Sequence, residues 1–205
     1  MIVKVCGMRE HENIRQVEQC GADWMGFICY NRSPRYIEEV PLLMPQKAKR
    51  IGVFVNASLE EILQKADLLD LHMIQLHGNE SPQLCKQLNN EGYAVMKAFS
   101  VKTAEDVKRT ADYEGICQYF LFDTPCSGYG GSGQCFDWNI LSAYKGNTPF
   151  LLSGGLNPTS LPALAAFDHP QWVGIDLNSG FEIAPALKDA NALKLFIEQF
   201  KKLPL

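Results

Sequence analysis

A thiol and a carboxyl group stand at the ends of two apolar runs in this sequence. Cys6 ends the run Ile2–Cys6, and Asp123 ends the run Tyr119–Asp123. Groups so far apart along the chain meet only if the two runs are strands of one sheet or barrel. A thiolate and a carboxylic acid in one site would supply the base and the acid for proton transfer on a small molecule. We therefore take Cys6 and Asp123 as the candidate catalytic pair.

Two further polar side chains follow other apolar runs. Arg35 lies in the loop after the second run, where its planar guanidinium suits a substrate carboxylate, and a plain surface arginine is the alternative. His77 ends the fourth run, where it either lines the pocket or hydrogen-bonds to a backbone carbonyl. The other histidines have no comparable context and are expected to be structural or exposed: His11, His72 and His169.

The loops after the last two runs are rich in glycine and serine. Ser153-Gly154-Gly155 follows the seventh run, and Asn178-Ser179-Gly180 follows the eighth. Each triplet alone would serve as a helix cap. In eight-stranded barrels, however, the corresponding loops often hold a phosphate on backbone N–H groups, which glycine lets approach closely. The predicted phosphate-binding residues are Gly154, Gly155, Ser179 and Gly180.

A long glycine-rich segment follows Asp123 and includes Gly130, Gly131 and Gly133. It lacks the Lys-Ser/Thr ending of a nucleotide P-loop. Unusually long loops often close over bound substrate, and a merely flexible connection is the alternative. We expect a mobile cover here.

Short apolar runs alternate with helical patterns along the whole chain. The runs cover residues 2–6, 24–28, 51–55, 73–76, 94–98, 119–123, 150–152 and 172–175. They are apolar almost throughout, as is typical of parallel strands buried on both faces. Helical spacing is clearest at Leu193, Phe196, Ile197 and Phe200, and Ser58 with Glu61 forms a capping box. These features predict eight strand–helix units with parallel strands.

Two architectures fit eight such units, a closed barrel and an open doubly wound sheet. An open sheet has edge strands, which are usually shorter and more polar than central ones. The regular runs therefore favour a closed (β/α)8 TIM barrel, an α/β fold. No linker or charge run divides the chain, which predicts a single domain over residues 1–205.

Composition excludes several classes of protein. The chain has 205 residues, of which 46% are hydrophobic and 20% charged, so it can fill a core. Its net charge of −4 and scattered Lys and Arg give no nucleic-acid footprint, and no apolar stretch reaches the length of a membrane span. Seven cysteines without zinc-ligand spacing indicate reduced, metal-free thiols. We expect a soluble cytoplasmic protein without a nucleic-acid or membrane partner.

Taken together, these blocks resemble the phosphoribosylanthranilate isomerases of tryptophan biosynthesis from end to end. The blocks that carry the resemblance are Lys4-Val5-Cys6-Gly7, Gly21-Ala22-Asp23, Gly26-Phe27, Ser33-Pro34-Arg35-Tyr36, Gly52-Val53-Phe54-Val55-Asn56, Gln75-Leu76-His77-Gly78, Asp123-Thr124, Gly130-Gly131-Ser132-Gly133, Phe136-Asp137-Trp138, Ser153-Gly154-Gly155-Leu156, Asp176, Ser179-Gly180, Glu182 and Lys188-Asp189. Several blocks in this order are highly specific.

The resemblance implies a (β/α)8 barrel that performs an Amadori rearrangement without a cofactor or metal. N-(5-phosphoribosyl)anthranilate would become 1-(2-carboxyphenylamino)-1-deoxy-D-ribulose 5-phosphate, with Cys6 as general base and Asp123 as general acid. Arg35 would bind the anthranilate carboxylate, and His77 and Asp176 would also contact the substrate. The expected partner is this small phosphosugar–anthranilate, bound by a monomer or a homodimer.

The chain departs from the family pattern in one conspicuous place. Ala186-Leu187 stands where a single glycine is common between proline and Lys-Asp. This change leaves every proposed catalytic group in place and concerns only the geometry after the eighth strand.

The chemistry makes demands on both groups. Asp123 must be neutral to protonate the ribose ring oxygen, so we expect burial at the barrel mouth to raise its pKa. We expect the pKa of the Cys6 thiol to be lowered, because a free thiol ionises near pH 8.5.

Other functions remain as alternatives. Indole-glycerol-phosphate synthases and ribulose-phosphate epimerases would keep the phosphate loops, but they use other strand-end residues. A catalytically silent phosphate-binding barrel would not need Cys6, Asp123 and Arg35. A cysteine redox protein would need paired thiols, which the sequence does not indicate.

Overall fold

The computed structural model describes residues 1–123 and 138–204, and eight of its strands form a closed parallel barrel. Each strand pairs with the next along the chain, and the first pairs with the last. The strands are Ile2–Cys6 (β1), Trp24–Ile28 (β2), Lys49–Phe54 (β3), Met73–Leu76 (β4), Ala94–Ser100 (β5), Tyr119–Asp123 (β6), Phe150–Ser153 (β7) and Trp172–Leu177 (β8). The predicted TIM barrel is confirmed, and the open sheet is excluded.

Helices cover the outside of the barrel. The α-helices are His11–Gln19 (α1), Leu59–Leu68 (α2), Pro82–Asn90 (α3), Ala104–Lys108 (α4), Leu161–Ala166 (α5) and Ala190–Phe200 (α6). Short 3-10 helices cover Arg109–Tyr113, Trp138–Ala143, Pro158–Ser160 and Ser179–Phe181. Ser58 and Glu61 form the expected capping box at α2. The predicted apolar face of α6 is buried.

The prediction of a helix in every unit is wrong for the second one. Residues 29–48, between β2 and β3, contain no helix, and their main link to the barrel is a single bridge between Ile28 and Tyr36. Prolines at positions 34, 41 and 45 explain this, because proline removes a helical hydrogen bond and clashes with the preceding turn. In the sixth unit, Trp138–Ala143 is a 3-10 helix, and the glycine-rich segment of the predicted cover lies outside the described residues.

A two-stranded antiparallel hairpin follows β8 and was not predicted. Its strands are Glu182–Ala184 (β9) and Leu187–Lys188 (β10). Ala186 stands in the turn with φ of 67°, a left-handed conformation that glycine adopts more easily. The resemblance leads us to expect a single glycine in place of Ala186-Leu187, and Ala186 itself adopts the left-handed conformation that glycine favours.

The core has two layers because strand residues alternate between the two faces of the barrel wall. The outer layer, between strands and helices, holds most of the aromatic residues, including Phe120, Phe122 and Phe150. The interior is filled by Trp24, Ile51, Met73, Met96, Ala98, Leu121 and Leu151. This apolar plug closes the barrel below the carboxyl ends of the strands, so polar groups further along the same strands face the open mouth.

The cysteines that the structure describes are free thiols. Cys6, Cys20, Cys85 and Cys117 are buried as free thiols, and Cys29 is half-buried. Cys85 and Cys117 lie close enough in space to shift each other's pKa, which the sequence does not indicate, but both are free thiols. No helix among residues 1–123 and 138–204 is long and apolar enough to cross a membrane.

Candidate active site

The carboxyl ends of the strands surround a cavity of about 170 Å³ at the mouth of the barrel. Cys6 from β1 and Asp123 from β6 both line it, so the two groups share one site. The cavity wall also contains most of the other predicted site residues, namely His77, Gly154, Gly155, Asp176, Ser179 and Gly180. Arg35 is not part of this wall.

Cys6 faces the barrel interior and is only 4% exposed. Burial raises the pKa of its thiol; the ammonium groups of Lys4 and Lys188 act in the opposite direction but do not reverse the shift. The expected lowering is therefore wrong, because removal from water disfavours the thiolate more than the nearby cations favour it. At neutral pH Cys6 is mostly the thiol.

Asp123 belongs to a hydrogen-bonded chain with His77 and Gln75. The side-chain amide of Gln75 lies 3.0 Å from Nδ1 of His77, and Nε2 of His77 lies 3.2 Å from Oδ2 of Asp123. An amide donor at Nδ1 places the imidazole proton on Nε2, from where it donates to Oδ2 of Asp123. The side chain of Asp123 is 34% exposed, less buried than the sequence led us to expect.

The Asp176 carboxylate is buried and forms an ion pair with Lys4. Its Oδ1 accepts a hydrogen bond of 2.9 Å from Nζ of Lys4, and Oδ2 accepts one of 3.4 Å from the Ser153 hydroxyl. The side chains of Lys4 and Asp176 are 0% and 5% exposed. This buried ion pair joins the first and last strands directly beneath Cys6.

Arg35 forms a two-pronged ion pair with Glu182 at the rim of the barrel. Its Nε lies 2.8 Å from Oε1 and its Nη2 lies 2.6 Å from Oε2 of Glu182. Lys188 donates to Oε1 of the same carboxylate at 2.7 Å and to Oδ1 of Asn178 at 2.7 Å. A Cβ at Gly7 would lie 2.8 Å from Cδ of Arg35. The guanidinium thus sits beside the residue that follows Cys6.

The two predicted phosphate loops meet across the cavity. Gly154 and Gly155 have φ of 93° and 62°, which favours glycine at both positions. A Cβ at Gly180 would collide with the carbonyl of Leu156. Among the described residues, the backbone N–H groups of Gly155, Ser179 and Gly180 donate no hydrogen bond. The loops therefore pack tightly against each other, and within the described part of the chain these three N–H groups have no acceptor.

Sequence reasoning missed the roles of Lys4, Glu182 and Lys188, although all three lie in the quoted blocks. For Lys4 a signal was present: it is the one charge in an apolar run, on the same face as Cys6. The other two reach the site through the unpredicted hairpin. No three His, Cys, Asp or Glu side chains among the described residues are grouped so that they could hold a metal ion.

Comparisons with known proteins identify a family for the chain. The family model of N-(5'-phosphoribosyl)anthranilate (PRA) isomerase matches residues 3–199. The N-(5'-phosphoribosyl)anthranilate isomerase of Phocaeicola vulgatus is 60% identical over 202 residues, covering 98% of each chain. The crystal structure of phosphoribosyl anthranilate isomerase from Thermotoga maritima has a TM-score of 0.83 and 34% identity, covering 99% of this chain and 100% of the other.

A second solved structure contains a ligand. It is a phosphoribosyl anthranilate isomerase in complex with reduced 1-(o-carboxyphenylamino)-1-deoxyribulose 5-phosphate, with a TM-score of 0.80 and 32% identity. The match covers 99% of this chain and 100% of that chain. The family model and the relatives both extend over nearly the whole barrel. The chain belongs to the N-(5'-phosphoribosyl)anthranilate isomerase family and is an isomerase.

Proposed function

We propose that this protein catalyses the Amadori rearrangement of N-(5-phosphoribosyl)anthranilate in the cytoplasmic pathway to tryptophan, with Cys6 as general base and Asp123 as general acid. The observation that carries the assignment is the shared cavity: a thiol and a carboxyl group from β1 and β6 line one space with the two glycine loops. The ligand of one solved relative joins the same carboxyphenylamino and deoxyribulose phosphate groups as the proposed product.

The first step opens the ribose ring. Asp123 donates its proton to the ring oxygen, the bond from C1 to that oxygen breaks, and the anthranilate nitrogen forms an iminium with C1. The carboxylate left on Asp123 accepts a hydrogen bond from Nε2 of His77, 3.2 Å away. A charged acceptor makes such a bond stronger than one between neutral groups. His77 therefore supports the acid without taking part in the proton transfer.

The second step removes a proton from C2. The iminium withdraws electrons from C2, so its hydrogen becomes acidic enough for the Cys6 thiolate to take it. The electron pair forms a C1–C2 double bond and the iminium returns to an amine. The resulting enolamine takes a proton at C1 from the Cys6 thiol and gives the proton of its C2 hydroxyl to the Asp123 carboxylate, which yields the ketone. Each group then returns to its starting protonation state.

The phosphate and the carboxylate of the substrate position the sugar between these groups. The unused N–H donors of Gly155, Ser179 and Gly180 support phosphate binding at the β7 and β8 ends. Arg35 supports binding of the anthranilate carboxylate, because its guanidinium already binds the Glu182 carboxylate in a two-pronged geometry. Binding energy from groups that do not react can orient the ones that do.

The first test is turnover of phosphoribosylanthranilate, generated in place because it is labile and followed by loss of the fluorescence of the anthranilate adduct. Cys6→Ala and Asp123→Asn should each lower kcat by at least about a hundredfold, the scale of one general acid or base. Matched controls are Cys29→Ala and the exposed Asp112→Asn. Burial raises the pKa of Cys29 to about 12, so it holds no thiolate at neutral pH. Near-normal turnover by Cys6→Ala would remove it as the base.

A further inference from the structure

Lys4 and Cys6 lie on the same interior face of β1, because side chains alternate along a strand. Lys4 is paired in register with Asp176 on β8, and its side chain is completely buried. A buried ammonium without compensation is costly, and Asp176 supplies one carboxylate at 2.9 Å. Burial lowers the pKa of Lys4, but the charges of Asp176 and Cys6 outweigh that effect and raise it. Lys4 is therefore a cation in the folded protein.

Gly26, on the other neighbouring strand, shows how close the ammonium and the thiol are. A Cβ on Gly26 would lie 2.7 Å from Sγ of Cys6 and 3.1 Å from Nζ of Lys4. The two atoms thus share one small space, which exists because position 26 has no side chain. Any larger residue there would push the thiol and the ammonium away from each other.

A second buried lysine shows what a purely structural ion pair looks like in this barrel. Nζ of Lys97 lies within hydrogen-bonding distance of Glu80 and of the carbonyls of Leu76, Gly78 and Ala98. An ammonium has three protons, and these acceptors use all of them. The hydrogen bonds of Lys97 thus all go to oxygen atoms, although its charge also acts on the nearby thiols of Cys85 and Cys117.

Lys4 differs from Lys97 in this respect. Among the described residues, Oδ1 of Asp176 is the one oxygen that accepts a hydrogen bond from Lys4. The remaining donors of the ammonium have the Cys6 sulfur as their neighbour, and charge and hydrogen bonding from Lys4 both favour the thiolate. Among the described residues, this buried ammonium therefore has N–H donors that no oxygen accepts, and they lie beside the candidate base.

Other titratable groups surround the sulfur. The charges of Asp176 on β8, Lys188 on β10 and Arg35 in the loop after β2 act on it, and His77 and Asp123 line the same cavity. Asp176 opposes the thiolate, whereas Lys188 favours it; both act more weakly than Lys4. Lys4 is therefore the cation with the greatest effect on the thiol.

We propose that Lys4 is a positioning residue for the reaction: its ammonium, oriented by Asp176, stabilises the thiolate of Cys6 and so sets the fraction of the enzyme that holds an active base. The proposal rests on the assignment of Cys6 as general base. Cys6 lines the cavity and Lys4 does not, so the effect of Lys4 on the reaction passes through the ionisation of Cys6.

The test is a titration of the Cys6 thiolate by its ultraviolet absorbance, with the titration of Cys6→Ala subtracted to remove every other cysteine and tyrosine. Lys4→Met should raise the pKa of Cys6 by about one to three units, the usual effect of removing one close opposite charge. Asp176→Asn should shift the pKa of Cys6 the other way, because it removes a negative charge and keeps the cation. The pH profile of kcat/KM should move with the titration in both variants.

Lys97→Met is the matched control, since it also removes a buried, ion-paired lysine but one that does not contact Cys6. It should leave the titration of Cys6 unchanged once the titration of Lys97→Met combined with Cys6→Ala is subtracted, since Lys97 acts on Cys85 and Cys117 instead. A Lys4→Met titration identical to that of the parent, in protein with the parent's circular dichroism spectrum, would overturn the proposal. Shifts of the same sign in Lys4→Met and Asp176→Asn would overturn it too, because a structural disturbance would produce them.

Lys4→Met leaves Asp176 buried without its cation and can fail to fold, so a double variant guards the test. Lys4→Met combined with Asp176→Asn removes both charges, and its Cys6 should titrate about one to three units above that of Asp176→Asn alone. Equal titrations would refute the role of Lys4. If Cys6→Ala keeps full turnover, the proposed function fails instead, whatever the titrations give.

Discussion

At the scale of single residues, Arg35 offers a direct measure of substrate binding. Its guanidinium holds the Glu182 carboxylate through two short bonds and stands beside Gly7, next to the reacting thiol. Arg35→Ala should raise KM for phosphoribosylanthranilate by about tenfold or more, because a hydrogen bond to a charged group contributes about 1.5–3 kcal/mol. Steady-state kinetics would separate this effect from a change in kcat.

Arg9→Ala is the matched control for Arg35. Arg9 is also a paired arginine near the amino end of α1, but its side chain is 39% exposed and its partner is the neighbouring Glu10. Its removal should leave KM unchanged. An unchanged KM in Arg35→Ala would exclude Arg35 from the substrate contacts.

The sequence predicts which groups form the site better than it predicts their ionisation and their partners. Cys6 and Asp123 were found because each ends an apolar run, and strand ends in a parallel barrel share one face. The direction of the Cys6 pKa shift was missed, since it depends on how completely the mouth of the barrel excludes water. The pairing of Arg35 with Glu182 was also missed, because it joins residues at opposite ends of the chain through tertiary structure alone.

At the scale of elements, the start of α2 illustrates a local signal that the structure confirms. The Ser58 hydroxyl accepts a bond from the backbone N–H of Glu61, and the Glu61 carboxylate accepts one from the N–H of Ser58. Ser58→Ala should lower the free energy of unfolding by about 1 kcal/mol, the usual effect of losing an N-cap. Urea denaturation followed by circular dichroism would measure it.

The exposed Ser142 provides the comparison for the cap, because it lies in a 3-10 helix and caps no α-helix. Ser142→Ala should change the free energy of unfolding by no more than about 0.5 kcal/mol. Equal losses in the two serine variants would mean that the capping box does not stabilise α2.

The elements that the sequence predicts incorrectly are those without strong local signals. The regular alternation of strand–helix units predicts a helix between β2 and β3, although prolines at 34, 41 and 45 argue against one. The hairpin of β9 and β10 has strands of three and two residues, too short for a period to be read. It nevertheless carries Glu182 and Lys188 to the site, so the least predictable element supplies two of its charges.

At the scale of the whole molecule, the barrel and the site depend on the same closure. The pairing of β1 with β8 brings Lys4 to Asp176, and the pairing of β1 with β2 brings Cys6 to Gly26. A sheet opened between β1 and β8 would keep every strand but leave two buried charges apart. The chemistry proposed for Cys6 therefore requires a closed barrel, not merely the presence of eight strands.

Gly174 tests this closure directly, because it is the residue of β8 that pairs with Ile2 of β1. A Cβ at Gly174 would collide with the backbone carbonyl of Ile2, an atom that cannot move without separating the two strands. Gly174→Ala should lower the free energy of unfolding by about 1–3 kcal/mol, as overpacking does. It should lower kcat as well, since Asp176 follows on the same strand.

Gly115→Ala is the control, because Gly115 has φ of 72° and open space around it. This variant reports only backbone strain, about 1–2 kcal/mol, and its kcat should stay unchanged. Full stability and full turnover in Gly174→Ala would show that the β1–β8 seam does not hold the site together.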